Sequence, residues 1–164
     1  MVNFQMVKRY QMDDLLRIMD LLRAPGGCPW DMAQTHRSIR QNMLEEAYEA
    51  AEAIDHMDMV NLKEELGDVL LQVVFHARMA QEVGRFDFGD VVDGVCKKLV
   101  YRHPHVFGAV EAADPEGALD TWDAQKRTEK DQRTTGDALD GVARALPALT
   151  RAAKLQSKAA KAGF

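Results

Sequence analysis

Residues 43–54 read MLEEAYEAAEAI, and a short way on comes KEELGDVLLQVVFH. The first stretch carries Glu45, Glu46, Glu49 and Glu52; the second carries Glu64, Glu65 and Asp68. Glu46 with Glu49, and Glu65 with Asp68, repeat one spacing of three, which places each pair on one helix face. Two antiparallel helices joined by a short loop can aim those four carboxylates at a common point. Oxygen donors with no soft ligand among them select Mg²⁺ or Mn²⁺ over zinc. Mg²⁺ keeps several waters and is completed by substrate phosphates, so an acidic site of this kind suits a phosphorylated substrate.

The alternative is that these acids are only solvated faces. With Glu45 as zero, Glu46, Glu49 and Glu52 fall at roughly 100°, 40° and 340° around the first helix, opposite its apolar residues. That is a plain amphipathic pattern and fits a wet face. The second helix differs. With Glu64 as zero, Asp68, Gln72, Glu65 and His76 lie between roughly 40° and 120°. Most of the rest from Leu66 to Phe75 is apolar. A helix apolar almost all round is expected to be buried in its bundle, and buried unpaired carboxylates need cations or protons.

Basic residues that could meet phosphate lie downstream. KKLVYR places Lys98 and Arg102 one turn apart, and WDAQKRTEK offers Lys126, Arg127 and Lys130. The alternative for Lys97 and Lys98 is to offset a helix macrodipole. His76 reads as a hydrogen-bonded core histidine. His103 and His105 in RHPH read as ordering residues of their loop, since nothing is spaced with them for zinc.

The elements that must position these groups are helical throughout, because alternating patterns are scarce and apolar residues recur at three and four. A first helix is expected over 12–23, stopped by Ala24-Pro25-Gly26-Gly27. Asp31 caps a second, to about 55, and Asp58 a third, to about 83, ended by Gly84. Asp90 with Asp93 opens a fourth, to about 101. Residues 102–117 read as loop, a short helix surrounds Trp122, and a final basic, amphipathic helix runs from Leu139 to Ala162, kinked or delayed by Pro147. The fold class is all-α, a helical bundle.

At 164 residues the chain suits one domain with a real core. A formal net charge of −5 speaks against nonspecific nucleic-acid or anionic-membrane binding, so no nucleic acid and no membrane are expected as partners. Cys28 and Cys96 lie far apart and read as reduced thiols, which suits a cytoplasmic protein. The longest apolar run, 69–75, is too short to span a bilayer, and the first residues do not resemble a signal peptide.

These motifs together resemble the MazG-type nucleoside triphosphate pyrophosphohydrolases. EExxE at 45–49 and ExxD at 65–68 are accompanied by GCPWD at 27–31, QTH at 34–36, VFH at 74–76, RHPHVFG at 102–108 and ALPALTRAAKLQ near the end. The resemblance covers roughly residues 15–164. It implies one MazG-like domain over 1–164, with a metal-binding helical core at 12–101 and a loop with C-terminal helices at 102–164. It also implies a four-helix core completed by homodimerisation. The implied activity is Mg²⁺-dependent hydrolysis of NTPs or dNTPs to the monophosphate and pyrophosphate, a nucleotide-pool house-cleaning reaction, with Mn²⁺ as a substitute ion.

Carried over by position, Glu46, Glu49, Glu65 and Asp68 would be the metal ligands. Lys98, Arg102 and Lys126 would contact the triphosphate, and Glu45 would orient the water. Trp30, Gln34 and His36 are candidates for contact with the base. Tyr101 stands where the family usually has a second arginine. Many members carry two tandem domains, and this chain stops at AAKAGF, where a second would begin. Two other functions compete: a narrower phosphoribosyl-nucleotide pyrophosphatase, and a non-catalytic helical module whose acids are surface charge.

Overall fold

The structure, a computed structural model, describes residues 4–132, 134–161 and 163. Those residues form helices and connections, with no strand among them, so the expected all-α class holds. They divide into two compact units, one up to Asp93 and one from Gly94.

In the first unit, α1 (Met12–Arg23) opens on a capping box: Asp14 accepts from the Gln11 backbone N–H at 2.8 Å. Acids in its first turn and Arg23 in its last suit the macrodipole. It ends in a turn where Gly26 takes φ +83° and Cys28 N–H donates to the Leu22 carbonyl at 2.8 Å. A Cβ at Gly27 would collide with the Leu21 and Leu22 carbonyls, so glycine is needed there for closeness.

The single helix expected from Asp31 to 55 is two, α2 (Pro29–Ala33) and α3 (Arg40–Asp55). The cause is local. Thr35 N–H donates to the Ser38 hydroxyl at 2.9 Å and Ser38 N–H to the Thr35 hydroxyl at 3.2 Å, so these side chains take backbone donors that a helix would use. Asp31 lies inside α2, which starts with Pro29 at its first position.

The sequence locates α4 (Met59–Glu82) closely: Asp58 caps it, accepting from Val60 and Asn61 N–H at 3.1 and 3.0 Å. Gly84, at φ +64°, follows its end. The next helix, α5 (Phe88–Arg102), begins earlier than expected. Its opening pair is Asp87 and Asp90, each accepting the other's N–H at 2.9 to 3.0 Å, rather than Asp90 and Asp93.

The core of this unit is Met19, Ile39, Val74, Phe75 and Met79, with Leu15, Leu16 and Leu70 packed on it. The expectation that α4 is buried along its length holds only for its second half. From Gln72 to Ala80 most residues are buried, whereas Leu66 is 55% exposed and Val69 to Leu71 are half-buried.

Arg23 ties α1 to α4. Its guanidinium meets Glu82 through two bonds of 2.8 Å, lies 5.3 Å from the Phe75 ring centre, and donates to the Asp31 and Gln34 carbonyls. Arg23, with help from Arg78, holds the Glu82 carboxyl below its ordinary range. Arg23→Ala is therefore expected to lower unfolding stability by about 2 kcal/mol, since charged hydrogen bonds are lost and Glu82 stays partly buried. Because the folded pKa of Glu82 is depressed, its stabilisation is present above the unfolded carboxylate value and fades as pH falls through the folded one. Denaturant melts at neutral and acidic pH should show the gap between wild type and Arg23→Ala narrowing in acid.

In the second unit, α6 (Pro104–Phe107) is a single helical turn inside the expected loop. The short helix expected near Trp122 is the longer α7 (Pro115–Glu129), capped by Asp114, which accepts from Gly117 N–H at 2.7 Å. The expected final helix is delayed to α9 (Ala148–Ala160), and Leu139 and Asp140 instead end a separate short helix, α8 (Thr135–Asp140). Thr134 and Asp137 form a capping box on α8, and Pro147, with no N–H to give a preceding turn, becomes the cap of α9. Ala162, the expected end, lies outside the described residues. Arg102, only 6% exposed, donates to Glu129 at 2.7 Å, holding that carboxyl below its usual range. The Trp122 ring takes Arg102 at 5.0 Å and Lys126 Nζ at 4.4 Å. No helix of the described residues is long and apolar enough to cross a membrane.

Candidate metal centre

The three-residue link 56–58 folds α3 and α4 into a hairpin, the most extensive helix pairing among the described residues. Its register decides which acids meet. Glu49 is six residues before Asp55, the end of α3, and Glu65 is six after Met59, the start of α4. Glu46 and Asp68 are each nine residues from the same ends. Equal steps from a hairpin link bring side chains level, so the i, i+3 spacing on one helix is matched by the same spacing on the other.

The structure places ligand oxygens of Glu46, Glu49 and Glu65 within 4.8 Å of one another. Asp68 is not part of that closest group. It lies half-buried beside it, and its charge acts on both Glu46 and Glu65. Burial, and then Asp68 before the other acids, pushes the Glu46 carboxyl above the ordinary carboxylate range. Glu65 is raised as well, by desolvation and then by Glu49, Asp68 and Glu64. This cluster repels itself, and a divalent cation would relieve it. Its donors are all hard oxygens, and among the described residues no histidine or cysteine joins the group, so it fits Mg²⁺ or Mn²⁺.

Glu45 is exposed, with Gln41 Nε2 donating to its carboxylate at 3.2 Å. Glu52 is exposed and outside the group. Further along the α4 stripe, Gln72 is 7% exposed and its Oε1 has no hydrogen-bond partner among the described residues. One turn on, His76 is half-buried and its Nδ1 lies 2.8 Å from His36 Nδ1, the rings stacked nearly parallel. Burial first, then His36, lowers the His76 pKa. The hydrogen-bonded reading of His76 thus acquires its partner, which spacing alone did not reveal. Gln34 is engaged locally, donating to the Trp30 carbonyl at 2.8 Å and accepting from Ser38 at 2.7 Å, while Trp30 is largely exposed.

The basic candidates belong to the second unit. Lys98 is exposed, Arg102 is buried against Glu129 and Trp122, and Lys126 is half-buried over the same indole. Tyr101 is exposed. His103 Nδ1 lies 2.6 Å from the Leu99 carbonyl and its ring meets His105 at 5.5 Å, in keeping with an ordering role.

Residues 34–107 match the family model described as the MazG nucleotide pyrophosphohydrolase domain. The chain is 48% identical over 155 residues to a nucleoside triphosphate pyrophosphohydrolase of Escherichia coli K12, covering 94% of this chain and 59% of that protein. It is 43% identical over 152 residues to the Thermotoga maritima nucleoside triphosphate pyrophosphohydrolase/pyrophosphatase MazG, covering 93% and 58%. The chain thus spans less than two thirds of the length of these relatives. The crystal structure of a mazG-related protein from Thermotoga maritima superposes with a TM-score of 0.59 at 28% identity, over 71% of this chain and 99% of that one.

Proposed function

We propose that this chain, which matches the MazG nucleotide pyrophosphohydrolase domain over residues 34–107, is a member of that family and hydrolyses nucleoside triphosphates, ribo or deoxy, to the monophosphate and pyrophosphate. The observation that carries the reading is the convergence of Glu46, Glu49 and Glu65 oxygens on one point of the α3–α4 hairpin. Those three, with Asp68, would hold Mg²⁺, or Mn²⁺ in its place. When bound, the ion would neutralise phosphate oxygens and acidify a water.

The chain's own residues do the rest. Glu45 stands next to the ligand set and outside it, and Gln41 orients its carboxylate. It would direct the attacking water and accept its proton. In the net reaction a P–O bond of the anhydride between the first and second phosphates breaks. One fragment gains the water's hydroxyl, and the bridging oxygen leaves with the other and takes the proton. Lys98, Arg102 and Lys126 would meet the triphosphate. Arg102 commits its Nε to Glu129, which fixes the guanidinium plane.

Homodimerisation belongs to the same proposal. The uncovered apolar residues of the hairpin, among them Tyr48, Ile54 and Leu66, suit the seam of a four-helix core made by two chains. The reaction would serve the cytoplasmic nucleotide pool. The test is pyrophosphate release from a panel of NTPs, dNTPs and a phosphoribosyl nucleotide, with and without Mg²⁺. Release from several triphosphates, only with metal, is expected. Turnover confined to the phosphoribosyl substrate, or none at all, would replace this reading with one of its rivals.

A further inference from the structure

On another face of α4 from the carboxylates, α1, α4 and the first turn of α5 enclose a cavity of about 230 Å³, wholly within the first unit. On the wheel that sets Asp68 and Glu65 at roughly 40° and 100°, the α4 residues that line it, Val74, Arg78 and Gln81, fall at roughly 260–320°. Its floor is apolar, made by Leu16, Met19, Val74 and Phe88, and Met19 and Val74 belong to the buried core. Cavities of about 150 Å³ hold benzene, so this one has room for a single ring with a short arm.

The rim decides what that arm carries. Arg78 is committed to protein acceptors. Its Nη1 lies 2.9 Å from Asp20 Oδ1 and donates to Gln81 Oε1 at 3.0 Å, and its Nε lies 3.3 Å from Glu82 Oε1. Asp87 is different. Its Oδ1 accepts from Asp90 N–H at 2.9 Å, and among the described residues no cation pairs with it. Gly89 keeps that carboxylate open, since a Cβ there would stand 3.0 Å from Asp87 Oδ1. Within the lining, Asp20 and Asp87 therefore face a single arginine, which leaves an excess negative charge beside an apolar floor.

We propose that this cavity binds a small organic amine, with an apolar ring or branched body on the floor and a protonated amino group at Asp87. An alkylammonium keeps its charge at neutral pH and donates to the carboxylate lone pairs that Asp90 N–H leaves unused. A ligand with its own carboxylate would meet Asp20 and Asp87 and be repelled. A neutral ligand would cover the floor and leave the charge unanswered. Occupancy would join α1, α4 and the start of α5 through one molecule, so the amine would stabilise the unit. The site is apart from the metal centre and requires no turnover.

The test is NMR of the full chain labelled at its methionine methyl groups. It is titrated separately with phenethylamine, phenethyl alcohol and hydrocinnamate, which share a ring and differ in the charge of the arm. The amine is expected to move the Met19 methyl resonance and leave that of exposed Met57 in place. It should also bind about tenfold or more tighter than the acid. Asp87→Asn keeps the oxygen that accepts from Asp90 and should weaken the amine by about two- to fivefold, the scale of an exposed ion pair, with the alcohol unchanged. Asp13→Asn, which removes an exposed charge of α1 outside the lining, should change neither. Leu16→Phe, which fills the floor, should weaken amine and alcohol together, and exposed Asp87 still tests the site where that larger side chain disturbs the core. No Met19 shift with the amine, an acid that binds as well as the amine, or an amine affinity that Asp87→Asn leaves intact or Asp13→Asn lowers equally overturns the proposal. A Met19 resonance that shifts on dilution of the protein alone would assign the cavity to a second copy of the chain, and would overturn it as well.

Discussion

Replacing Glu49 by glutamine is expected to reduce metal-dependent pyrophosphate release by about 100-fold or more, since a lost ligand costs at least what a lost supporting partner does. Glu49 belongs to the closest group: its oxygen lies with those of Glu46 and Glu65, and its charge raises the pKa of both. Asp68→Asn should have a smaller effect in the same direction, because Asp68 stands beside the closest group and acts on it through charge. Stability separates a damaged site from a damaged fold. Without metal, Glu49→Gln removes like-charge repulsion and should melt no lower than wild type. At metal concentrations about 100 times Kd, wild type should gain about 2.7 kcal/mol, and Glu49→Gln should gain much less. A variant that melts well below wild type without metal, or that responds to Mg²⁺ as wild type does, would take Glu49 out of the ligand set.

The second large effect concerns the uncovered hairpin face. Tyr48, 60% exposed, and Leu66, 55% exposed, are large apolar groups that a stable monomer has little reason to present. Tyr48→Glu with Leu66→Glu should convert a dimer to monomers across the micromolar range by light scattering, because like charges would then meet across the seam. Activity per chain should fall at least tenfold if the ligands depend on the partner for their rigidity. Wild type that scatters as a monomer at every concentration would remove the four-helix core from the account.

How much of this was legible beforehand follows from what each signal depends on. Local signals were sufficient for α1, with acids at its start and Pro-Gly-Gly after it, and for α4, with Asp58 as its cap. The carboxylate convergence was legible for a different reason. Two i, i+3 pairs equally distant from one short link are brought level by a hairpin, which joins Glu46, Glu49 and Glu65 and leaves Asp68 beside them. The breaks were not legible, because they depend on competition rather than periodicity. Thr35 and Ser38 capture each other's backbone donors in a stretch whose apolar pattern runs on, and the helix divides there. Pro147 did signal a disturbance, but whether it kinks a helix or starts one turns on the residues before it.

Long-range partnerships were the least visible. Nothing in the spacing links Arg23 to Glu82, or His36 to His76, since each pair is joined only when α4 lies down on its neighbours. Nor does spacing pair Arg102 with Glu129 and Trp122, against which the fold buries it. The basic character of the last helix, by contrast, was plain.

The most direct test of the central claim is phosphorus NMR of the purified chain with a nucleoside triphosphate, with and without Mg²⁺. Equal amounts of nucleoside monophosphate and pyrophosphate are expected, formed only with metal and absent with Glu49→Gln. Nucleoside diphosphate with orthophosphate, or the same products at the same rate in the metal-free protein, would contradict it.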